Sequence, residues 1–188
     1  EGMVKIWDVT SGQALLELPA DPVEFGLGIA FSPDGKRVAV PWSSQLVVWD
    51  AESGQRDITF PGDLTGGTVN RASFSPDSQR VAVANLDGLP RVWDLDSGTQ
   101  VFALSGHEQL CDAIAFSPDG SQLATGDQGG TVKIWDAVSG QELLSFGSGG
   151  LIHNLAYSSD GARLAAANED GTLTIWDPIT GQETLSLP

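Results

Sequence analysis

The sequence predicts an all-β chain of short, four-stranded antiparallel sheets, and three observations carry that prediction. The stretch Thr131-Val-Lys-Ile-Trp-Asp136 recurs as Met3-Val-Lys-Ile-Trp-Asp8, Leu46-Val-Val-Trp-Asp50, Leu89-Pro-Arg-Val-Trp-Asp94 and Thr172-Leu-Thr-Ile-Trp-Asp177. Trp7, Trp49, Trp93, Trp135 and Trp176 are therefore spaced 42, 44, 42 and 41 residues apart, and a fixed period of this length marks a repeat architecture. The same turn wording recurs inside each period. No segment carries a helical apolar stripe over ten or more residues.

Each period reads as strands a, b, c and d. In the period of Trp135, Ala113-Ile-Ala-Phe116 is an apolar run. Ser117-Pro-Asp-Gly120 is a turn, because proline sets φ at its second position and glycine releases the chain at its end. Gln122-Leu-Ala-Thr125 is strand b, Asp127-Gln-Gly-Gly130 reverses the chain, and Thr131-Val-Lys-Ile-Trp135 is an alternating strand c. Val138-Ser-Gly-Gln141 turns again into strand d, Glu142-Leu-Leu-Ser-Phe146. The a–b turn repeats as Ser32-Pro-Asp-Gly35, Ser75-Pro-Asp-Ser78 and Ser158-Ser-Asp-Gly161. The c–d turn repeats as Thr10-Ser-Gly-Gln13, Glu52-Ser-Gly-Gln55, Asp96-Ser-Gly-Thr99 and Ile179-Thr-Gly-Gln182.

Sheets with apolar residues on both faces must be covered on both, and radial stacking does this economically. The expected units are a c–d half at residues 1–20 and complete units at 21–61, 62–104, 105–147 and 148–188, together forming part of one domain.

Composition narrows the function. The net charge of −16 is spread over all repeats, which disfavours nucleic acid and anionic membranes because phosphate contacts need clustered Lys and Arg. It suits solubility, or a basic protein partner. One cysteine leaves no internal disulfide framework and no cysteine-rich zinc site. No stretch has the form of a signal peptide, and no apolar run approaches the roughly 18 residues of a membrane helix. A cytoplasmic location is the expectation, although the chain opens inside a motif and a targeting segment would lie upstream of it.

The five Trp-Asp pairs, three Ser-Pro-Asp turns at one period and Gly106-His107 resemble the WD-repeat β-propeller family over the whole chain, in wording similar to bacterial members. The resemblance implies four complete propeller blades plus a half blade. Members close a ring of about seven blades of roughly 40 residues each. The remaining blades are expected from sequence outside this stretch, with closure between several chains as the lesser alternative.

The resemblance also implies a hydrogen-bonded tetrad of His, Ser or Thr, Asp and Trp. His107, Thr125 and Trp135 align with it, whereas Gly129 stands where the Asp belongs and Asp127 is the possible substitute. Val83 and Ala166 occupy the strand-b position of two other units, and Pro22, Thr65 and Ser148 occupy the His position. Structural roles are thus expected for Trp7, Trp49, Trp93, Trp135, Trp176, His107 and Thr125.

A catalytic site is hard to assemble, so no enzyme, cofactor or metal is expected. Cys111 aligns with Val69 and Ile152 and reads as a small core residue. Asp94-Leu-Asp-Ser-Gly98 faintly echoes a calcium loop but lacks its remaining ligands. No phosphate-cradling glycine loop or metal-spaced histidine pair occurs.

Surfaces remain. The d–a loops (residues 20–26, 61–68, 105–110 and 147–151) and the b–c loops (41–44, 85–88 and 168–171) share one face in a propeller and differ most between units. Loops on a rigid scaffold are where binding residues tend to sit. Asn70, Arg71, Asp112, His153 and Asn154 should ring the channel at equivalent strand-a entrances, with Arg71 either a ligand contact or half of a structural ion pair. Phe25 is an apolar loop candidate. Trp42, the one Trp outside the repeat position, has two readings: an exposed interface anchor, or a ring folded back to fill a shortened turn. The expected function is a non-enzymatic platform for protein–protein contact. The alternatives are the sensor or autoinhibitory end of a larger signalling protein, such as a nucleotide-dependent switch or a kinase, and an enzyme using the channel.

Overall fold

The structure is a computed structural model. It describes residues 3–19, 28–42, 44–61 and 69–188. Phe25 with the whole d–a loop at 20–26, and residues 62–68, lie outside the described residues.

The chain opens with a two-stranded pair, β1 (Met3–Trp7) and β2 (Ala14–Pro19). Four antiparallel sheets of four strands follow. The first holds β3 (Ala30–Phe31), β4 (Arg37–Trp42), β5 (Gln45–Asp50) and β6 (Arg56–Pro61). The second holds β7 (Val69–Phe74), β8 (Arg80–Asn85), β9 (Arg91–Asp94) and β10 (Gln100–Ala103). The third holds β11 (Cys111–Phe116), β12 (Gln122–Asp127), β13 (Thr131–Asp136) and β14 (Glu142–Gly147). The fourth holds β15 (Ile152–Tyr157), β16 (Leu164–Asn168), β17 (Leu173–Trp176) and β18 (Glu183–Leu187). Within each sheet the strands pair in chain order, as meandering hairpins require, and no helix occurs among the described residues.

The turns explain the polar half of the repeat. The Asp that follows each motif Trp closes the c–d turn: Asp136 Oδ1 accepts from Ser139 N at 2.7 Å and Ser139 Oγ at 2.8 Å, and Asp8, Asp50 and Asp94 do the same with Ser11, Ser53 and Ser97. These bonds favour the charged carboxylate and hold the four pKa values below the ordinary Asp value. In the a–b turn, Ser117 Oγ donates to Asp119 Oδ1 at 2.6 Å and accepts from Gln122 N at 2.9 Å, so one hydroxyl ties both ends of the turn.

The apolar half stacks the sheets. The end of each unit, strand d and in the second four-stranded sheet also Leu104 just after β10, presents two residues to the motif Trp of the next. Leu16 and Leu18 pack with Trp49, Ile58 and Phe60 with Trp93, Phe102 and Leu104 with Trp135, and Leu144 and Phe146 with Trp176. Ring centroids lie 5.1 Å apart for Phe60 and Trp93 and 5.3 Å for Phe146 and Trp176. The four rings are nearly buried, whereas Trp7, with no strand d before it among the described residues, is 54% exposed. At the other end Leu185 and Leu187 occupy the positions of Leu144 and Phe146 and are exposed.

One loop expectation is corrected. Residues 41–44 do not form a b–c loop: β4 runs through Pro41 and Trp42, Trp42 pairs opposite Gln45, and only residues 43–44 connect the strands. A two-residue connection keeps the ladder paired to its end. It carries the Trp42 ring into a core with Val4, Leu18, Val40 and Trp49, where it is 8% exposed. Trp42 is therefore a buried packing residue and not an exposed anchor.

Ser78 departs from the turn pattern. It holds φ at +60° where Gly35, Gly120 and Gly161 stand in the equivalent turns, and its Oγ accepts from Asp34 N of the neighbouring sheet at 3.2 Å. A left-handed non-glycine residue costs about 1–2 kcal/mol, similar to the value of one hydrogen bond. Ser78→Gly should therefore change stability by less than about 1 kcal/mol. Ser78→Ala, which keeps the strain and loses the bond, should destabilise by about 1 kcal/mol. Urea unfolding of the two variants checks this ordering.

Candidate interaction face at the channel entrance

One complete polar relay crosses the third four-stranded sheet. Trp135 Nε1 donates to Thr125 Oγ1 at 2.7 Å. His107 Nε2 lies 2.6 Å from Thr125 Oγ1, and His107 Nδ1 lies 2.8 Å from Asp127 Oδ2. With Trp135 donating to the hydroxyl, Thr125 donates to Nε2 and Nδ1–H donates to the carboxylate, so a neutral histidine satisfies every member. Asp127 Oδ1 accepts from Thr131 N at 2.8 Å, which fixes the b–c turn. Asp127 thus takes the place that Gly129 leaves empty. Burial pushes the His107 pKa below its ordinary value, opposed in part by Asp127.

The same register position holds Val40 and Val83 in the first and second four-stranded sheets. The consequence is direct: Trp49 Nε1 and Trp93 Nε1 are buried without a hydrogen-bond partner among the described residues. In the fourth sheet Asn168 Nδ2 instead donates to Thr172 Oγ1 at 2.9 Å and Thr174 Oγ1 at 3.0 Å.

The strand-a entrances converge as their register placed them. Bulges at the starts of β7, β11 and β15 set Asn70, Asp112 and His153 out of the ladder. Asn70 Nδ2 donates to Asp112 Oδ1 at 2.8 Å across two sheets, and Gln128 Nε2 donates to Asp112 Oδ2 at 3.0 Å. Arg71 Nε donates to the carbonyl of His153 at 3.0 Å, passing over the intervening sheet. Arg71 also lies over Gly28, where an added Cβ would stand 3.0 Å from Arg71 Cγ. His153 and Asn154 are exposed, Arg71 is half-buried, and Asn70 and Asp112 are buried. Below the entrance lies a channel cavity of about 360 Å³ lined by Gly28, Arg71, Ile114, Asn154 and Leu155 among others.

The loops above this ring lean on one another. Gly88, at φ +76°, would place a Cβ 2.9 Å from the Gln109 carbonyl, and Ser148 N donates to Gly130 O at 2.8 Å. Sequence reasoning placed the five entrance residues but missed Gln128, whose role depends on a contact to the buried Asp112 carboxylate. Its signal would have been a long amide donor in the b–c turn.

Two candidates for chemistry resolve into packing. Cys111 is fully buried, its Sγ bonds to the carbonyls of Ala113 and Gly126, and burial raises its thiol pKa. The Asp94 carboxylate is occupied by its own turn. No group of His, Cys, Asp and Glu among the described residues is placed to hold a metal ion.

Consecutive four-stranded antiparallel sheets, each stacked on the last through its third-strand Trp, are the blades of a β-propeller. The family described as "WD domain, G-beta repeat" matches residues 54–94, 98–136 and 140–177, more than half of the chain. The chain belongs to the WD-repeat family. It is similar to WD repeat-containing protein 82 of Drosophila melanogaster, at 36% identity over 42% of this chain and 26% of that protein. It is similar to WD repeat and SOCS box-containing protein 1 of Xenopus tropicalis, at 34% identity over 52% of this chain and 23% of that protein. It is also similar to WD repeat-containing protein VIP3 of Arabidopsis thaliana, at 29% identity over 57% of this chain and 37% of that protein. The matches thus span 23% to 37% of these relatives' lengths.

Thr125→Val strands Trp135 Nε1 and His107 Nε2 together and should cost about 1–3 kcal/mol in urea unfolding. The pH dependence has a defined sign. Because the folded pKa of His107 is lowered, its contribution is fully present above the unfolded value of 6.5 and is lost as pH falls from there through the folded value. Wild-type stability should therefore decline on acidification below pH 6.5, and His107→Gln should remove that part of the slope.

Proposed function

We propose that this chain is a non-enzymatic scaffold that binds a protein partner through the channel-entrance face. WD repeats generally mediate protein–protein interaction, and the partner-binding face is our reading for this chain. The observation that carries it is the pair of long-range bonds, Asn70 to Asp112 and Arg71 to the His153 carbonyl, that lock three blades into one rigid rim. Around that rim Leu110, in the loop before β11, and His153 and Asn154, at the start of β15, remain exposed. Preorganised side chains lose little entropy on binding, which favours this face over a mobile one. The acidic surface adds a long-range preference for a basic partner.

A second reading has one support. A relative's name joins WD repeats to a SOCS box, so repeats of this kind occur in a chain with another module. On that reading the same face would be the sensor or autoinhibitory surface of a larger signalling protein.

Capture of partners from a lysate of the source cells compares the two propeller faces. A variant carrying Leu110→Glu, His153→Glu and Asn154→Lys alters exposed entrance residues. A control carrying Val138→Glu and Ile179→Glu alters two apolar residues, each 76% exposed, at the c–d turns of the opposite face. The entrance variant should lose about tenfold or more of the bound protein, as expected for an interface centre, while the control retains it. The reverse pattern would move the interface to the turn face.

A further inference from the structure

We infer that the entrance holds a single carboxylate of the partner on the guanidinium of Arg71. This rests on the interaction-face reading above and names the chemistry of its central contact.

Arg71 is built into the rim without being electrically completed there. Its Nε–H is spent on the His153 carbonyl. Among the described residues its terminal nitrogens have no hydrogen-bond partner, although an arginine carries five N–H donors in a planar fork. The neighbouring carboxylate does not close the fork: Asp112 Oδ1 accepts from Asn70 and Oδ2 from Gln128, and among the described residues neither oxygen is within hydrogen-bond reach of Arg71. Burial lowers the Arg71 pKa, and Asp112 opposes that only through space. The result is a half-buried cation at the edge of a cavity of about 360 Å³, with unused parallel donors.

The geometry keeps that fork in place. Gly28 leaves room for the Arg71 stem: an added Cβ would approach Arg71 Cγ to 3.0 Å and Nη1 to 3.3 Å. The bond to His153 ties the other side. Two parallel N–H groups on a fixed plane match a carboxylate bidentately. Charge selects the occupant further. Asp112 already stands near Arg71, and the chain carries −16, so a monoanion is favoured over a phosphate dianion. The occupant is therefore an Asp, Glu or C-terminal carboxylate in a partner segment whose surroundings are neutral or basic. It would be flanked by apolar side chains that meet Ile114 and Leu155.

The test titrates three peptides into the protein labelled with nitrogen-15 and follows the Arg71 Nε–Hε resonance. The peptides are acetyl-Leu-Glu-Leu-amide and its Gln and Lys counterparts. The Glu peptide should shift that resonance saturably, and the Gln peptide should bind about tenfold more weakly, as loss of a charge-assisted contact predicts. Arg71→Met should abolish the preference for Glu over Gln. Asn154→Asp, a change at an exposed lining residue that leaves the fold intact, should weaken the Glu peptide by adding a competing negative charge. Equal binding of the Glu and Gln peptides, tighter binding of the Lys peptide, no saturable shift, or an unchanged affinity in Asn154→Asp would each overturn the inference. If partner capture depends on the entrance residues but survives Arg71→Met, the entrance reading stands and the carboxylate contact falls.

Discussion

The packing of each motif Trp against two apolar residues on or just after the last strand of the preceding blade is the contact on which the rest of the molecule depends. An aromatic ring of this size removes about 150–250 Å² from water, worth roughly 4–6 kcal/mol before entropy is counted. Four such contacts, at Trp49, Trp93, Trp135 and Trp176, join five consecutive units. The bulges that precede Trp49, Trp135 and Trp176 in the c–d ladders set the rings' register, and the Asp after each Trp closes the turn that returns strand d. Trp7 is consistent with this dependence, since the same residue in the same motif is half exposed where no strand d precedes it among the described residues.

Polar cohesion is secondary and uneven. Among the described residues only the blade of Trp135 carries the full relay from Trp through Thr125 and His107 to Asp127. Two blades with Val40 and Val83 leave an indole N–H buried and unpaired among the described residues, a cost of about 1–3 kcal/mol each that apolar packing must offset. The rigidity of the entrance has a different source. It comes from side chains that reach between blades, Asn70 to Asp112 and Arg71 to His153, and from glycines that let one blade's turn sit against the next blade's loop.

The fold was legible because its determinants are local and periodic. A Trp every 41 to 44 residues, a Ser-Pro-Asp turn and a Ser-Gly-Gln turn each act within a few residues of themselves. The site was legible only in part. Alignment of the strand-a entrances placed Asn70, Arg71, Asp112, His153 and Asn154 together, but not their partners, because those bonds join residues 42 and 82 positions apart. The tetrad showed the same limit: Asp127 reaches His107 because the b–c turn bends its side chain back, which spacing alone left open against Gly129. Trp42 was ambiguous because a shortened loop and an extended strand look alike over four residues. The ladder decided it by pairing Trp42 with Gln45.

The measurement that tests the account most directly is urea unfolding of Phe60→Ala. Phe60 is buried on strand d of one blade and its only ring partner among the described residues is Trp93 of the next. If blade-to-blade packing on the motif Trp holds the array together, the variant should lose about 3–5 kcal/mol and expose the Trp93 indole to fluorescence quenchers before global unfolding. A loss below about 1 kcal/mol, the range of a surface substitution, with Trp93 still shielded would show that cohesion lies elsewhere.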